Sequence, residues 1–300
     1  MCFYISNNNY NIKTHQLIDN NINTNELLLC IDKNQFSNFR AIYNKKHSET
    51  QSILLRDQNK NITIDCVKYY PIFKFLHKII KKNNGTLYSS SIIYLPKNKS
   101  VKKHKDGIRN NILISNYYTD KDRYHLVLSG QYQYNVNNIS KIYKKGDLWW
   151  FNNKLQHSAK AITDRIVLVF DIKKNIKNRK NYGYHLCIGK WSIYENIINK
   201  IDISKIIKLI TNKNIKEKLI DHKEISWKCK YNPEEKFDKR YIDCDESYPG
   251  ILCENVKNPE NLKYRMIDGS YRITKLRKKH NIKKSFFYII TKKDFYNYLE

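Results

Sequence analysis

A chain of 300 residues is long enough for two units, because a single hydrophobic core saturates near ~250–300 residues. Its seven cysteines are odd in number and form no C-x-x-C pair, which excludes a disulfide framework and reads as reduced thiols; no run of ~18 apolar residues and no charged-then-apolar start is present, so a soluble, cytoplasmic protein is expected. The net charge of +28 suggests a nucleic acid or another polyanion, but Lys, Asn, Ile and Tyr are heavily used everywhere and Gly is scarce, and the codon bias of an AT-rich genome such as that of a large DNA virus or protist accounts for the charge as well.

Residues 1–66 are Asn-rich and weakly periodic, a poorly defined N-terminal extension in which only 26–32 (ELLLCID) and 51–56 (QSILLR) look like short buried strands. Residues 67–82 place Ile72, Phe75, Ile79 and Ile80 on one stripe and end in lysines, the pattern of a surface helix stopped by Asn83-Asn84-Gly85. From 86 to 172 the period falls to two, in the runs 87–95, 123–129, 132–136, 148–151 and 165–172, separated by turn residues; this predicts a β-sandwich or barrel within a domain spanning 67–172. Residues 173–226 read as a basic linker near 173–185 and then short amphipathic helices at 191–200, 203–211 and 215–221. Beyond Trp227, residues 227–300 change character again, with 264–299 predicting strand, tight turn, helix, strand and terminal helix: a smaller α/β module.

The chemistry concentrates in the β-rich part. His104 and Asp106 stand at i and i+2, so on an extended backbone both point to one face, roughly 7 Å apart at the Cα atoms, and both reach one ion. His157, after the Trp149-Trp150-Phe151 strand, completes two histidines and a carboxylate, the ligand set that leaves three positions open on non-haem Fe(II). Arg165 opens the strand RIVLVFDI and shares a face with Val167, Val169 and Asp171; a buried guanidinium there needs an anion, and its fork fits a carboxylate. Arg123 and His125 lie on one strand face and look like a second anion contact, while Trp149, Trp150 and Phe151 are either walls of the site or simple core aromatics.

In order, Leu95-Pro96, His104-Lys105-Asp106, Arg123-Tyr124-His125-Leu126, Gly146-Asp147-Leu148-Trp149-Trp150-Phe151, His157-Ser158-Ala159, Arg165 and Phe170-Asp171 resemble the aspartyl/asparaginyl β-hydroxylase family over about eighty residues. The resemblance implies a double-stranded β-helix, a cupin-like jelly roll with flanking helices, making the whole chain a β-rich α+β protein. It further implies an Fe(II)/2-oxoglutarate-dependent dioxygenase that uses O2 and hydroxylates an amino-acid residue of a protein or peptide, releasing succinate and CO2. Iron would be held by His104, Asp106 and His157, and the co-substrate by Arg165, with Arg123, His125 and, upstream, Ser91 assisting. The best-known animal members lack the acidic ligand that Asp106 supplies here, as it is supplied in bacterial and viral-like members.

Near the C-terminus, Asp268-Gly269-Ser270-Tyr271-Arg272 between a buried strand and a basic helix resembles the D-G-x-H-R turn of the ParB/sulfiredoxin-like fold, with Tyr271 where that motif has His. The resemblance implies phosphate contacts from Asp268, Gly269, Ser270 and Arg272, at a helix start suited to anions; the other reading is a structural turn. An alternative function follows: a nucleic-acid- or nucleotide-binding protein using the basic runs 102–105, 173–180 and 275–284 together with this turn.

Overall fold

The alternation between residues 86 and 172 becomes two antiparallel sheets. The computed structural model describes residues 14–59, 61–106, 108–109, 112–113, 121–174, 188–194, 197–227, 241–242 and 244–298. They group into two units: residues 1–64 with 82–176, and residues 65–81 with 177–300. Residues 1–13 of the expected N-terminal extension, 175–187 of the expected linker, and Cys2, Cys187 and Cys229 lie outside the described residues. The described Cys30, Cys66, Cys244 and Cys253 are free thiols. Among the described residues, no helix is long and apolar enough to cross a membrane.

The first unit comprises β1 (His15–Asp19), α1 (Asn25–Leu29), α2 (Phe39–Tyr43), β2 (Gln51–Arg56), β3 (Gly85–Leu95), β4 (Ser100–His104), β5 (Ile108–Arg109), β6 (Ile112–Leu113), β7 (Asp122–Ser129), β8 (Gln131–Val136), β9 (Ile139–Lys144), β10 (Leu148–Phe151), β11 (His157–Ala161) and β12 (Arg165–Lys174). A six-stranded sheet runs β1-β10-β7-β12-β3-β2 and a four-stranded one β4-β11-β8-β9. Their inner faces share one core, with Ile93, Val127, Trp149, Val167 and Val169 from the larger sheet meeting Val101, Tyr132, Tyr134, Val136 and Ala159 from the smaller. Face-to-face antiparallel sheets with alternating inward residues make a cupin-like jelly roll. Where β7 meets β8, Gly130 adopts φ +78, and a Cβ there would lie 2.0 Å from the Asp164 carbonyl oxygen and 2.9 Å from the Arg165 Cα. Only glycine permits this approach, which seats the start of β12.

All five predicted strand runs are strands, and so is 51–56. Residues 26–32 instead contribute to α1, because Glu and Leu favour helix and only Leu27 of that helix is buried. Strands β4 and β9 escaped prediction for a common reason: lysine-rich and largely exposed, they lack an apolar alternation.

The second unit begins with α3 (Tyr70–Lys82), which buries Ile72, Phe73, Leu76, Ile79 and Ile80; Phe75, expected on the stripe, is only half-buried. This helix was expected to open the β-rich domain, but it groups with the C-terminal residues: Tyr70 stacks on Phe286 at 3.9 Å and the His77 ring stacks on Tyr248 at 3.6 Å. Of residues 191–200, expected as a helix, 191–194 and 197–200 lie in the paired strands β13 (Ile188–Tyr194) and β14 (Ile197–Asp202), as Ile, Trp and Tyr in short runs favour strands, and 195–196 lie outside the described residues. The helix expected at 203–211 forms as α4 (Ile203–Asn212), capped by the Asp202 side chain accepting from the Ser204 N–H, whereas 215–221 yields β15 (Glu217–Asp221). The remaining elements are β16 (Ile225–Ser226), β17 (Gly250–Glu254), β18 (Tyr264–Asp268), α5 (Ser270–His280), β19 (Lys284–Ile290) and α6 (Lys292–Asn297), so 264–299 has the predicted element order. Five strands pair as β15-β19-β17-β18-β16. Ile251 and Cys253 pack on one face with α4 and α6 residues, while Leu252 packs on the other with Ile273 of α5.

His222 is buried in this unit, its Nε2 2.8 Å from Ser285 Oγ and its Nδ1 without a hydrogen-bond partner. Burial first, and then the Arg277 charge, lowers its pKa to about 4, against Asp221, which raises it. With the folded value below the unfolded ~6.5, the neutral ring's contribution is complete above pH ~6.5 and is lost as pH falls toward 4, amounting to about 3 kcal/mol at most. Denaturant melts of His222→Gln should show a flatter stability profile than the parent between those pH values; equal slopes would exclude the assignment.

Candidate metal and anion site

Strands β4 and β11 pair with His104 opposite His157, which sets the two imidazoles side by side at 4.4 Å between ring centres. Asp106, two residues past the end of β4, brings Oδ1 to 3.8 Å from Nε2 of each histidine. The three potential ligand atoms lie within 4.8 Å of one another, a gap that small side-chain rotations close around one ion. Each histidine is oriented by backbone: the Nδ1–H of His104 donates to the Lys102 carbonyl at 2.7 Å and that of His157 to the Leu155 carbonyl at 2.9 Å. These bonds select the tautomer whose Nε2 lone pair faces the gap. Burial lowers the His157 pKa to about 4, although Asp106 opposes it, so the ring is a neutral donor at neutral pH. Burial also pushes the Asp106 carboxyl upward, but Arg123, then His157 and His104, outweigh it and hold the group below its ordinary value. The donor set therefore fits a divalent metal.

Arg123 lines the cavity and is held by carboxylates of its own chain. Its Nη1 donates to Asp106 Oδ2 at 2.6 Å, while Nε and Nη2 donate to Asp171 at 2.8 and 2.9 Å, and Ser89 Oγ donates to the same Asp171 at 2.7 Å. The expected anion contact is thus a clamp that turns Asp106 Oδ1 toward the histidines. Removing one partner of such a buried set leaves uncompensated charge, at a cost of about 3–5 kcal/mol. Urea melts of Arg123→Met should show that loss, and Asp171→Leu in the same chain should restore part of it through a coupling of up to ~3 kcal/mol. Strict additivity of the two changes would rule the clamp out.

Arg165 is different. It is 3 % exposed, its Nε and Nη1 have no hydrogen-bond partner, and its guanidinium lies 4.1 Å above the Tyr132 ring. A cation–π contact of this kind contributes at most about 2 kcal/mol, less than the burial of an unpaired charge costs. Trp149 Nε1 donates to the Tyr132 hydroxyl at 3.2 Å, and that hydroxyl is hydrogen-bonded to Nδ1 of His125 at 3.2 Å, a ring that also lines the cavity. Burial, followed by Arg165 and Arg123, keeps His125 neutral. Two of the candidate metal ligands, His104 and His157, and a buried cation with no carboxylate partner among the described residues thus line one cavity.

The sequence profile of the aspartyl/asparaginyl β-hydroxylase family matches residues 18–175, more than half of the chain. The chain belongs to that family. A search of curated proteins finds no match. Solved structures similar to this family member include KdgF from a Halomonas species, at 9% identity over 42% of this chain and 82% of that one with a TM-score of 0.26. An RmlC-like cupin from Shewanella frigidimarina is similar at 14% identity over 33% and 78% with a TM-score of 0.23. The cupin domain of Schizosaccharomyces pombe Cnp3 is similar at 13% over 32% and 63%, also with a TM-score of 0.23.

Two residues of this hydroxylase-family site were not anticipated. Arg40 of α2 donates from Nη2 to Ser91 Oγ at 3.3 Å, which gives Ser91 a place beside the cavity. His47 lies edge-on to His104 at 4.8 Å with its Nδ1 buried and unpartnered; burial and then Arg40 hold it neutral. Both come from the Asn-rich extension, where nothing in the pattern separates them from solvent-facing neighbours. Of the expected aromatic walls, Phe151 lines the cavity and contacts the His157 ring at 5.0 Å, whereas Trp149 packs in the core. The cavity volume is about 30 Å³, room for a water, so a larger ligand enters only as lining side chains swing aside.

The turn at Asp268–Arg272, expected either to hold phosphate or to be structural, is closed by its own side chains. Arg272 is buried, its Nη1 donating to the Pro249 carbonyl at 3.1 Å and its Nη2 to Asp268, so the guanidinium closes the turn. Gly269 at φ +120 sits against Gly250, and the Ser270 carbonyl accepts from Thr274 Oγ1. These contacts give Asp268, Gly269, Ser270 and Arg272 structural roles.

Proposed function

We propose that the first unit is an Fe(II)- and 2-oxoglutarate-dependent dioxygenase that hydroxylates an aspartyl, asparaginyl or similar residue of a protein or peptide, releasing succinate and CO2. The observation carrying this reading is the buried Arg165 guanidinium, with Nε and Nη1 unpartnered, in the same cavity as His104 and His157, the two histidines that Asp106 approaches. His104, Asp106 and His157 would hold the iron, a two-histidine, one-carboxylate donor set suited to non-haem Fe(II) that works with a co-substrate and O2. When bound, iron with these partners supplies the oxidising power for C–H hydroxylation.

The protein's own residues do the rest. Arg165 binds the remote carboxylate of the co-substrate through its fork, His125 donates to an anionic oxygen, and the Arg123 clamp holds Asp106 in register. Phe151, Tyr134 and Val169 exclude water from the reacting centre. Succinate formation from 2-oxoglutarate by purified protein should require added Fe(II) and rise with a hydroxylatable peptide. Iron-independent turnover, or none with any acidic or amide-bearing peptide, would defeat the proposal.

A further inference from the structure

The second unit holds a pocket of about 380 Å³ at the C-terminal end of α5, the end opposite Asp268–Arg272. That volume falls within the range of about 300–1,000 Å³ typical of small-molecule sites. Trp227, just past β16, is half-buried against the cluster containing Ile225, Ile273 and Phe287 and also lines the pocket. Around it stand Arg277 and Lys278, from the last turn of α5, and Lys283, all three exposed. Asn281, at φ 53, caps the helix and turns the chain, so that Lys283 returns beside the residues of that last turn. Among the described residues, no carboxylate lines the pocket.

Basic residues in a final helical turn complement the helix dipole, which is sufficient reason for Arg277 and Lys278. It does not account for Lys283, which lies beyond the cap, or for the indole at the wall of a concave space. Nor does the dipole repel an anion strongly here: its negative end amounts to about half a charge, set against three cations. The carbonyls of Arg277 and Leu276 are moreover capped by the Asn281 N–H. An aromatic wall with clustered cations suits a ligand that is flat and aromatic at one end and anionic at the other.

We propose that this pocket binds one nucleotide unit, with the base against Trp227 and the phosphate held by Arg277, Lys278 and Lys283. A free nucleotide and a nucleotide within a single strand share this chemistry. The site is separate from the oxygenase centre and needs no iron, so its test succeeds or fails independently of that reading.

The test uses the full chain without added metal and a fluorescein-labelled single-stranded oligonucleotide, followed by anisotropy, with ATP and inorganic pyrophosphate as competitors. Arg277→Gln/Lys278→Gln/Lys283→Gln should weaken binding about tenfold or more and reduce the slope of log affinity against log salt by about 2. Trp227→Leu should weaken it by about 5- to 100-fold with the slope unchanged, while Trp227→Phe, which keeps a ring, stays within about threefold of the parent. Far-ultraviolet circular dichroism and thermal melts establish that each variant is folded. Lys141→Gln/Lys144→Gln/Lys160→Gln removes the same charge from exposed positions of the first unit and should change affinity by less than about threefold.

ATP displacing the probe at comparable affinity identifies a free nucleotide; a much tighter oligonucleotide identifies a strand. In either case pyrophosphate competes more weakly than ATP, for want of stacking. The proposal is overturned if neither oligonucleotide nor ATP binds, if the control triple variant loses as much as the pocket variant, or if folded Trp227→Leu binds like the parent.

Discussion

Arg165→Met is expected to raise the melting temperature of the metal-free protein while abolishing its affinity for 2-oxoglutarate. The guanidinium is buried with two nitrogens unpartnered, and its neighbour Tyr132 is neutral and does not balance its charge. A flexible apolar side chain relieves that penalty, and substitutions of buried charge by apolar groups stabilise by about 1–4 kcal/mol. Binding should move in the opposite direction. Two charge-assisted hydrogen bonds at about 1.5–3 kcal/mol each correspond to a loss of roughly 10²- to 10⁴-fold in affinity. Calorimetric titration of metal-loaded protein and melts with and without 2-oxoglutarate separate the two effects: the parent should be stabilised by the co-substrate and the variant should not. A variant that melts lower and still binds 2-oxoglutarate would remove the assignment of Arg165.

The second large effect is expected at His157. Loss of an outer hydrogen-bonding partner alone lowers metal affinity by about 10- to 100-fold, so loss of a direct ligand should exceed about a hundredfold. His157 is enclosed by Phe151, Tyr134 and His104 and is one of the three groups that converge on a single point. Anaerobic titration of His157→Ala with Fe(II) should therefore show neither tight binding nor the charge-transfer absorbance that 2-oxoglutarate induces in the parent. Retention of that band would transfer the ligand role elsewhere.

The parts of this site legible in the sequence are those a single strand determines. Two-residue alternation puts His104 and Asp106 on one face, and likewise Arg165, Val167, Val169 and Asp171, before any partner strand is known. What requires register is not legible. Arg123 and Asp171 are direct neighbours across β7 and β12, so the guanidinium meets a carboxylate of its own chain that the sequence alone does not pair with it. Arg40 and His47 reach the cavity from a segment with no periodic signature. In the second unit, short isoleucine-rich runs satisfy both helical and extended templates, and the sheet decides in favour of strands for 217–221 and for the paired 188–194 and 197–202. The helix at 70–82 shows its apolar stripe plainly, but nothing in its own sequence names the residues it packs against.

The clamp at Asp106, Arg123 and Asp171 also bears on how such a chain can drift. One positive group is shared by two negative ones, so replacing Arg123 strands two buried carboxylates, whereas losing either carboxylate leaves a balanced pair. Position 123 is therefore the member least free to change. Among related chains, arginine at 123 should persist wherever 106 and 171 are both acidic, while the carboxylate at 106 can be lost with the pair at 123 and 171 kept.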